Sequence, residues 1–235
     1  MSISNAIHQA FLLLISGDAD LWKIIWVSLK TSLIALTLAS APAVISGYLI
    51  AYRRFHGRRL LIWLVQAALS LPTVLIGLLL YLLLSRQGAL GSLHWLFSQS
   101  GIIAGQTLIA LPVMIAFTLS AVQAADPRLA ETAITLGASR WRVMLTVLYE
   151  VRFGVIAALI YGFGRVLSEV GCAMMVGGNI AGETRTITTA IALETSKGEF
   201  AQGIALGVVL ITLALILNAA LMLLQGDARI AKNQR

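Results

Sequence analysis

Five stretches of this chain, roughly 25–51, 60–84, 101–122, 153–173 and 203–224, are apolar almost throughout. A helix needs about 20 mostly apolar residues to cross the ~30 Å hydrocarbon layer of a bilayer. Inside that layer every backbone N–H and C=O must be bonded within the chain, which leaves helices and closed barrels. The stretches show no alternation of period two, which excludes a β-barrel. The fold expected is all-α and integral to the membrane, with five transmembrane helices. Composition agrees, because only 11% of the 235 residues are charged where a soluble domain carries about 25%. The length suits a single membrane domain over 1–235.

A net charge of +7 could suggest nucleic acid in a soluble protein. Here the basic residues read instead as retention charges beside the spans, which hold Lys and Arg on the cytoplasmic side. Arg53, Arg54, Arg58 and Arg59 join the first two spans; Arg128, Arg140, Arg142 and Arg152 lie in 123–152; Arg229, Lys232 and Arg235 end the chain. Those eleven stand against Lys23, Lys30, Arg86, Arg185 and Lys197 on the other side, with Arg165 within a span. The count puts 53–59, 123–152 and the C-terminus in the cytoplasm. An odd number of spans then leaves the N-terminus outside. Within 1–22, Ile3, Ile7, Ala10, Phe11 and Leu14 share one helical face, which suits an interfacial amphipathic helix or packing on a neighbouring span. That helix should end at Ser16-Gly17-Asp18. Cys172 is the one cysteine, so no internal disulfide or CxxC site can form. No cleavable signal is evident, since the Ala-x-Ala pattern at 39–43 lies inside a span.

Pro42, Pro72 and Pro112 fall near the middles of the first three spans, where each should kink its helix. Bent helices are tolerated in any membrane bundle and are also typical where a protein lines a path. Ala39, Ser40, Ala41, Ala43, Ser46 and Gly47 would let the first span pack closely. In the fourth span, Arg165 and Glu169 are four apart and can pair. Such groups at membrane depth form either a neutral packing pair or part of a pathway or gate. The outer segment 176–200 holds Gly177, Gly178, Asn179, Gly182, Thr184, Arg185, Thr186, Thr188 and Thr189. Its glycines can turn N–H groups towards an anion, or the segment is a solvated loop followed by a short helix. His8, His56 and His94 are scattered without metal-ligand spacing, and there is no GxxxxGK[ST], GxSxG or HExxH. If transport here is driven by ATP, another subunit must bind the nucleotide.

Residues 126–150 are the polar exception. Asp126 can cap a helix that opens on Pro127, Leu129, Ala133 and Leu136 share a face, and Gly137 suits the left-handed turn that ends it. Ser139 can cap a second helix, in which Trp141, Met144, Leu145, Leu148 and Val151 keep helical spacing towards the fourth span. A helix, a glycine turn and a helix follow. Its apolar ridge could enter a groove on a partner or cover the bundle's own end.

The wording "ETAITLGAS", with Glu131, Thr132, Ala133 and Gly137, resembles the EAA loop of ABC importer permeases. Val147, Tyr149 and Glu150 stand where that motif usually continues as I-x-L-P, so the proline is missing. "LPTVLIG" at 71–77, holding Pro72 and Thr73, resembles the proline motif of the oxyanion group. "GGNI" followed by "TRTITTAIALET", within 168–200, is similar to the tungstate-type permeases more than to the molybdate or sulfate ones, as is "LLISGDADLW" at 13–22. The resemblance covers nearly the whole chain and implies the five-helix fold of type I (MetI-like) importer permeases.

It also implies the partners. Two copies would form the pore, two separate ATPase subunits would bind ATP and Mg, and an extracytoplasmic protein would deliver tungstate. This chain would hold no cofactor and do no catalysis. The ATPases would dock on Leu129, Glu131, Thr132, Ala133, Leu136, Gly137, Ala138, Ser139 and Trp141. Pro72, Thr73, Arg165, Glu169, Gly177, Gly178, Asn179, Thr184, Arg185, Thr186 and Thr188 would line or gate the path in the inner membrane. The alternatives are a molybdate or sulfate permease, a secondary transporter driven by an ion gradient, and a membrane scaffold that does not transport. No internal inverted repeat of the kind secondary transporters favour is evident.

Overall fold

The computed structural model describes Leu12 and residues 15–233, with side chains as far as Leu223. The face expected of Ile3, Ile7, Ala10, Phe11 and Leu14 lies outside the described residues. Among the described residues, all regular structure is helical. Three helices are long and apolar enough to cross a membrane alone: α1 (Ala19–Tyr52), α4 (Gln99–Gln123) and α10 (Phe200–Asn233, over Phe200–Leu223). Two bent pairs raise the possible total to five.

The frame is α1 against α4. Asp18 caps α1 by accepting from Leu21 N at 2.8 Å. Ala35, Ala39, Ala43 and Gly47 recur every four residues and are all buried. They make a stripe of small side chains along one face, which lets two backbones approach. A Cβ added at Gly47 would sit 2.8 Å from Thr118 Cβ, so α4 fits only against a glycine there. Ala41, on the other side of α1, is exposed. Pro42 and Pro112 are accommodated inside unbroken helices.

Pro72 behaves differently. The second stretch is two helices, α2 (Arg58–Leu69) and α3 (Thr73–Leu84), which meet at 97°. The expected single kinked span 60–84 is therefore corrected to a complete break. Proline lacks the N–H of the helix ladder and drives the residue before it into extended conformation. Pro72 itself is extended, at φ −61 and ψ 121, and leads directly into α3.

The fourth stretch is shorter than expected. α5 (Pro127–Thr135) and α6 (Arg140–Glu150) form the polar hairpin, and α6 turns by 74° into α7 (Arg152–Leu167). The Arg152 guanidinium makes this corner: Nη1 donates to Tyr149 O at 3.0 Å, and the group lies over the Tyr149 and Phe153 rings. α7 stops at Leu167, and α8 (Gly171–Gly177) follows after a three-residue break. Ser168 Oγ turns back to Arg165 O at 3.1 Å, and the Glu169 side chain takes the amide of Cys172 at 3.0 Å. Side chains thus replace the backbone ladder across the break.

The two ends of the bundle have separate cores. At one, Tyr48 and Val122 pack with Ala130, Val143, Met144 and Val147 of the hairpin. Arg58 sits at this end too, donating to Ile50 O and Ala51 O and closing the last carbonyls of α1. At the other end, Leu21, Ile24 and Ile25 pack with Ile187 and Ala190 of α9 (Ile187–Lys197) and with Ala205 and Leu206 of α10. The segment 176–200, expected on the outer side, is therefore half turn and half helix. Thr186 and Thr189 form a reciprocal cap at the start of α9, and Gly198, at φ +82, ends it.

Candidate functional site

The hairpin is built by its caps. Asp126 accepts from Arg128 N at 2.9 Å, and Ser139 accepts from Arg142 N at 3.5 Å. Gly137 has φ +79, a left-handed conformation that a side chain would strain. There Gly137 N bonds Ile134 O and Ala138 N bonds Ala133 O, which closes the open carbonyls of α5. Ala130 is buried, and Leu129, Ala133 and Ala138 are half-buried. Glu131, Thr132, Ser139 and Trp141 are exposed, and Leu136 is 82% exposed at the tip. The expected ridge of Leu129, Ala133 and Leu136 is thus divided. Ala133 packs against the bundle, while Leu136 stands outside together with Ile134, which the pattern reading passed over. The available signal was size: Ala130 and Ala133 are the small residues of α5, and Ile134 and Leu136 are large.

The second constellation lies where helices break. Glu169 is 3% exposed and engages three partners. Its Oε2 accepts from Arg165 Nη1 at 3.0 Å, Oε1 accepts from Cys172 N at 3.0 Å, and its carbonyl accepts from Thr188 Oγ1 at 2.6 Å. One residue therefore ties α7, α8 and α9. The break at Pro72-Thr73 packs alongside: a Cβ on Gly171 would lie 2.6 Å from Val74, and one on Gly77 would lie 2.8 Å from Cys172 Cα. Arg165 faces a cleft of about 330 Å³ that it shares with Phe117, Tyr161, Ser168 and Asn218. Gln106 adds a buried amide that sequence reasoning missed. Its Nε2 is 3.3 Å from both Ser32 Oγ and Val166 O, and its Oε1 has no partner among the described residues. A lone amide amid the apolar third stretch was the signal.

The threonines of 184–188 point inward. Thr184 Oγ1 donates to Gly177 O at 2.6 Å and accepts from Ile180 N at 2.9 Å. Thr186 caps α9, Thr188 holds Glu169, and all three threonines are buried. Gly178 and Asn179 take left-handed conformations, at φ 69 and φ 51. Arg185 Nη1 is 3.9 Å from Glu194 Oε1, which also accepts from Lys197 Nζ at 3.1 Å. Arg165 and Arg185 therefore serve different carboxylates. Arg185 Nε and Asn179 Oδ1 are buried without a partner among the described residues.

Residues 43–230 match the family model of the binding-protein-dependent transport system inner membrane component. The tungstate uptake system permease protein TupB of Campylobacter jejuni is 40% identical over 216 residues, 92% of this chain and 90% of that protein. The TupB of Peptoclostridium acidaminophilum is 33% identical, over 96% of this chain and 99% of its own length. The molybdenum transport system permease protein ModB of Escherichia coli K12 is 31% identical, over 91% and 96%. Among solved structures, a bacterial ABC transporter that imports the acidic polysaccharide alginate superimposes with a TM-score of 0.69. The match covers 94% of this chain and 82% of that one at 18% identity, and it speaks to the fold alone. The helical membrane architecture, the hairpin and these likenesses agree: the chain belongs to the binding-protein-dependent transport system inner membrane components, the permease subunits of ABC importers.

Proposed function

We propose that this chain is the permease of an ATP-driven tungstate importer, working as a homodimer in the inner membrane. One observation carries the substrate: the likeness to two permeases named for tungstate uptake, extending over nearly the whole chain. The excess of arginine at the 53–59 and hairpin end orients that end to the cytoplasm and leaves the N-terminus outside. Two separate ATPase subunits bind ATP and Mg and grip the hairpin. Its exposed Ile134, Leu136 and Trp141 suit an apolar cleft. A binding protein delivers tungstate to the side that carries 176–190.

The hairpin sits on the same core as the ends of α1 and α4. A displacement of the hairpin therefore moves whole helices, because packed helices shift as bodies. The gate we infer is the meeting of the two helix breaks, with Pro72 and Thr73 on one side and Arg165 and Glu169 on the other. Arg165, partly exposed in its cleft, supplies positive potential for a dianion while Glu169 moderates it. Gly177, Thr184, Thr186 and Thr188 act by shaping the outer mouth, since their bonds are spent within the protein, and Gly178 and Asn179 act by the left-handed turn they make there. Arg185, half satisfied by a distant carboxylate, adds charge at that mouth.

Molybdate is the second reading, favoured by the 31% identity to the molybdenum permease. Uptake of labelled tungstate in the presence of molybdate or sulfate separates them. Competition by either should be at least about tenfold weaker than by unlabelled tungstate, a difference of about 1.4 kcal/mol. Equal competition by molybdate would move the substrate to the second reading.

A further inference from the structure

α4 touches both sides of the break between α7 and α8 with two consecutive residues. At Gly105 an added Cβ would collide with Cys172 Sγ, so α8 packs directly on the α4 backbone. At Gln106, 3% exposed, the side-chain Nε2 donates at 3.3 Å to Val166 O near the end of α7 and at 3.3 Å to Ser32 Oγ of α1. Val166 O also accepts from Glu169 N at 3.2 Å, so the carbonyl that Gln106 grips is the one that fixes the backbone of Glu169. We propose that Gln106 is a positioning residue for transport. It holds Val166 O in one transport state and releases it in the other, passing motion of α1 and α4 to the Arg165–Glu169 pair. This role rests on the gate inferred above.

An amide is poorly suited to packing alone at this place. Both of its bonds are longer than the usual range of about 2.7–3.2 Å for N–H···O bonds. Its Oε1 is buried with no partner among the described residues. An unpaired buried acceptor costs stability, which a leucine or methionine of similar volume would avoid. Weak bonds on one side of the amide and an unspent acceptor on the other are what a two-position switch requires.

The partners define the two positions. Val166 O can only accept, so the amide holds it with Nε2, as it does here. Ser32 Oγ can accept or donate. Reversing the amide about its last torsion brings Oε1 to Ser32, which then donates to it. The bond to α1 survives, while Oε1 repels Val166 O and frees the end of α7. α1 and α4 share a core with the hairpin through Tyr48 and Val122. Ser32 and Gln106 therefore move with the hairpin as parts of packed helices, whereas Val166 and Cys172 belong to the broken span.

The test uses vesicles holding the permease with its ATPase subunits and binding protein. Gln106→Met nearly keeps the shape and removes both bonds. Tungstate imported per ATP hydrolysed should fall at least about tenfold, with melting in detergent and co-purification of the ATPase at wild-type values. Ser32→Ala leaves the grip on Val166 O but removes the partner of the released amide. Its maximal uptake should fall at an unchanged half-saturating tungstate concentration. Cys172, 1% exposed beside Gly105 and the one thiol of the chain, gives a readout that needs no transport. Its labelling by a membrane-permeant maleimide should differ at least about tenfold in rate between the nucleotide-free and vanadate-trapped complexes of the unaltered protein. The difference should vanish in Gln106→Met. Equal labelling of the two complexes of the unaltered protein would overturn the gate and this role with it. A nucleotide-dependent difference that persists in Gln106→Met would leave the gate in place and overturn the role of Gln106, as would wild-type coupling in that variant. Should Gln106→Met fail to assemble, Ser32→Ala decides, and wild-type maximal uptake there overturns the switch.

Discussion

At the scale of single residues, Glu169 carries more than its sequence position suggests. The spacing to Arg165 was legible, because residues four apart meet on a helix. The reason for the spacing is altered, since the helix ends at Leu167 and Glu169 lies in the break. Its two oxygens divide between Arg165 and the amide that opens α8, while its carbonyl receives Thr188. Glu169→Gln should keep one acceptor oxygen and lose the charge that holds Arg165. Because the Arg165 side chain is 37% exposed, water recovers part of the loss. A destabilisation no larger than about 1.5–3 kcal/mol follows, the range for hydrogen bonds to a charged group. It should appear as a lower melting temperature in detergent, and an unchanged one would show that the clamp contributes nothing. Thr188 was legible as a polar residue but not as a clamp, since nothing local says that its partner lies nineteen residues earlier.

Among elements, the hairpin was the most legible. Asp126-Pro127, Gly137 and Ser139 act through their immediate neighbours, so local chemistry is sufficient to fix both helix starts and the turn between them. Which side of the hairpin faces outward was less so, because Leu129, Ala133 and Leu136 share a face by angle but not by burial. Leu136→Asp separates stability from docking. The residue is 82% exposed, so melting should move by no more than about 0.5 kcal/mol equivalent. Co-purification with the ATPase subunit should nonetheless fall at least about tenfold, through the burial of a charge in an apolar cleft. Wild-type recovery of ATPase would assign the grip elsewhere on the hairpin. The helix breaks show the opposite limit. Pro42, Pro72 and Pro112 look alike in sequence, yet only Pro72 parts two helices. α1 and α4 pack along each other and stay unbroken, whereas Ser70, Leu71 and Pro72 are all exposed.

For the whole molecule, the importer reading makes a demand that separates it from a gradient-driven carrier. Vesicles holding this permease with the ATPase subunits and binding protein should take up tungstate only with ATP inside the ATPase compartment. Omitting the ATPase should reduce uptake to the background of empty vesicles, and uptake persisting without ATP would return the chain to the secondary-transporter class. By itself the sequence determined the membrane, the helical class, the retention-charge asymmetry and the caps of the hairpin. All of these depend on composition, on runs of about 20 residues, or on bonds between near neighbours. It also carried the wording that resembles tungstate permeases. Only the tertiary structure decided that two of the apolar runs are broken, that the breaks meet at Gly77 and Gly171, and that Thr184, Thr186 and Thr188 turn inward. It alone showed Gln106 between Ser32 and Val166. The physical reason is distance along the chain. Close packing and buried hydrogen bonds join residues that sequence separates by tens of positions, and each choice depends on which neighbour is already in place.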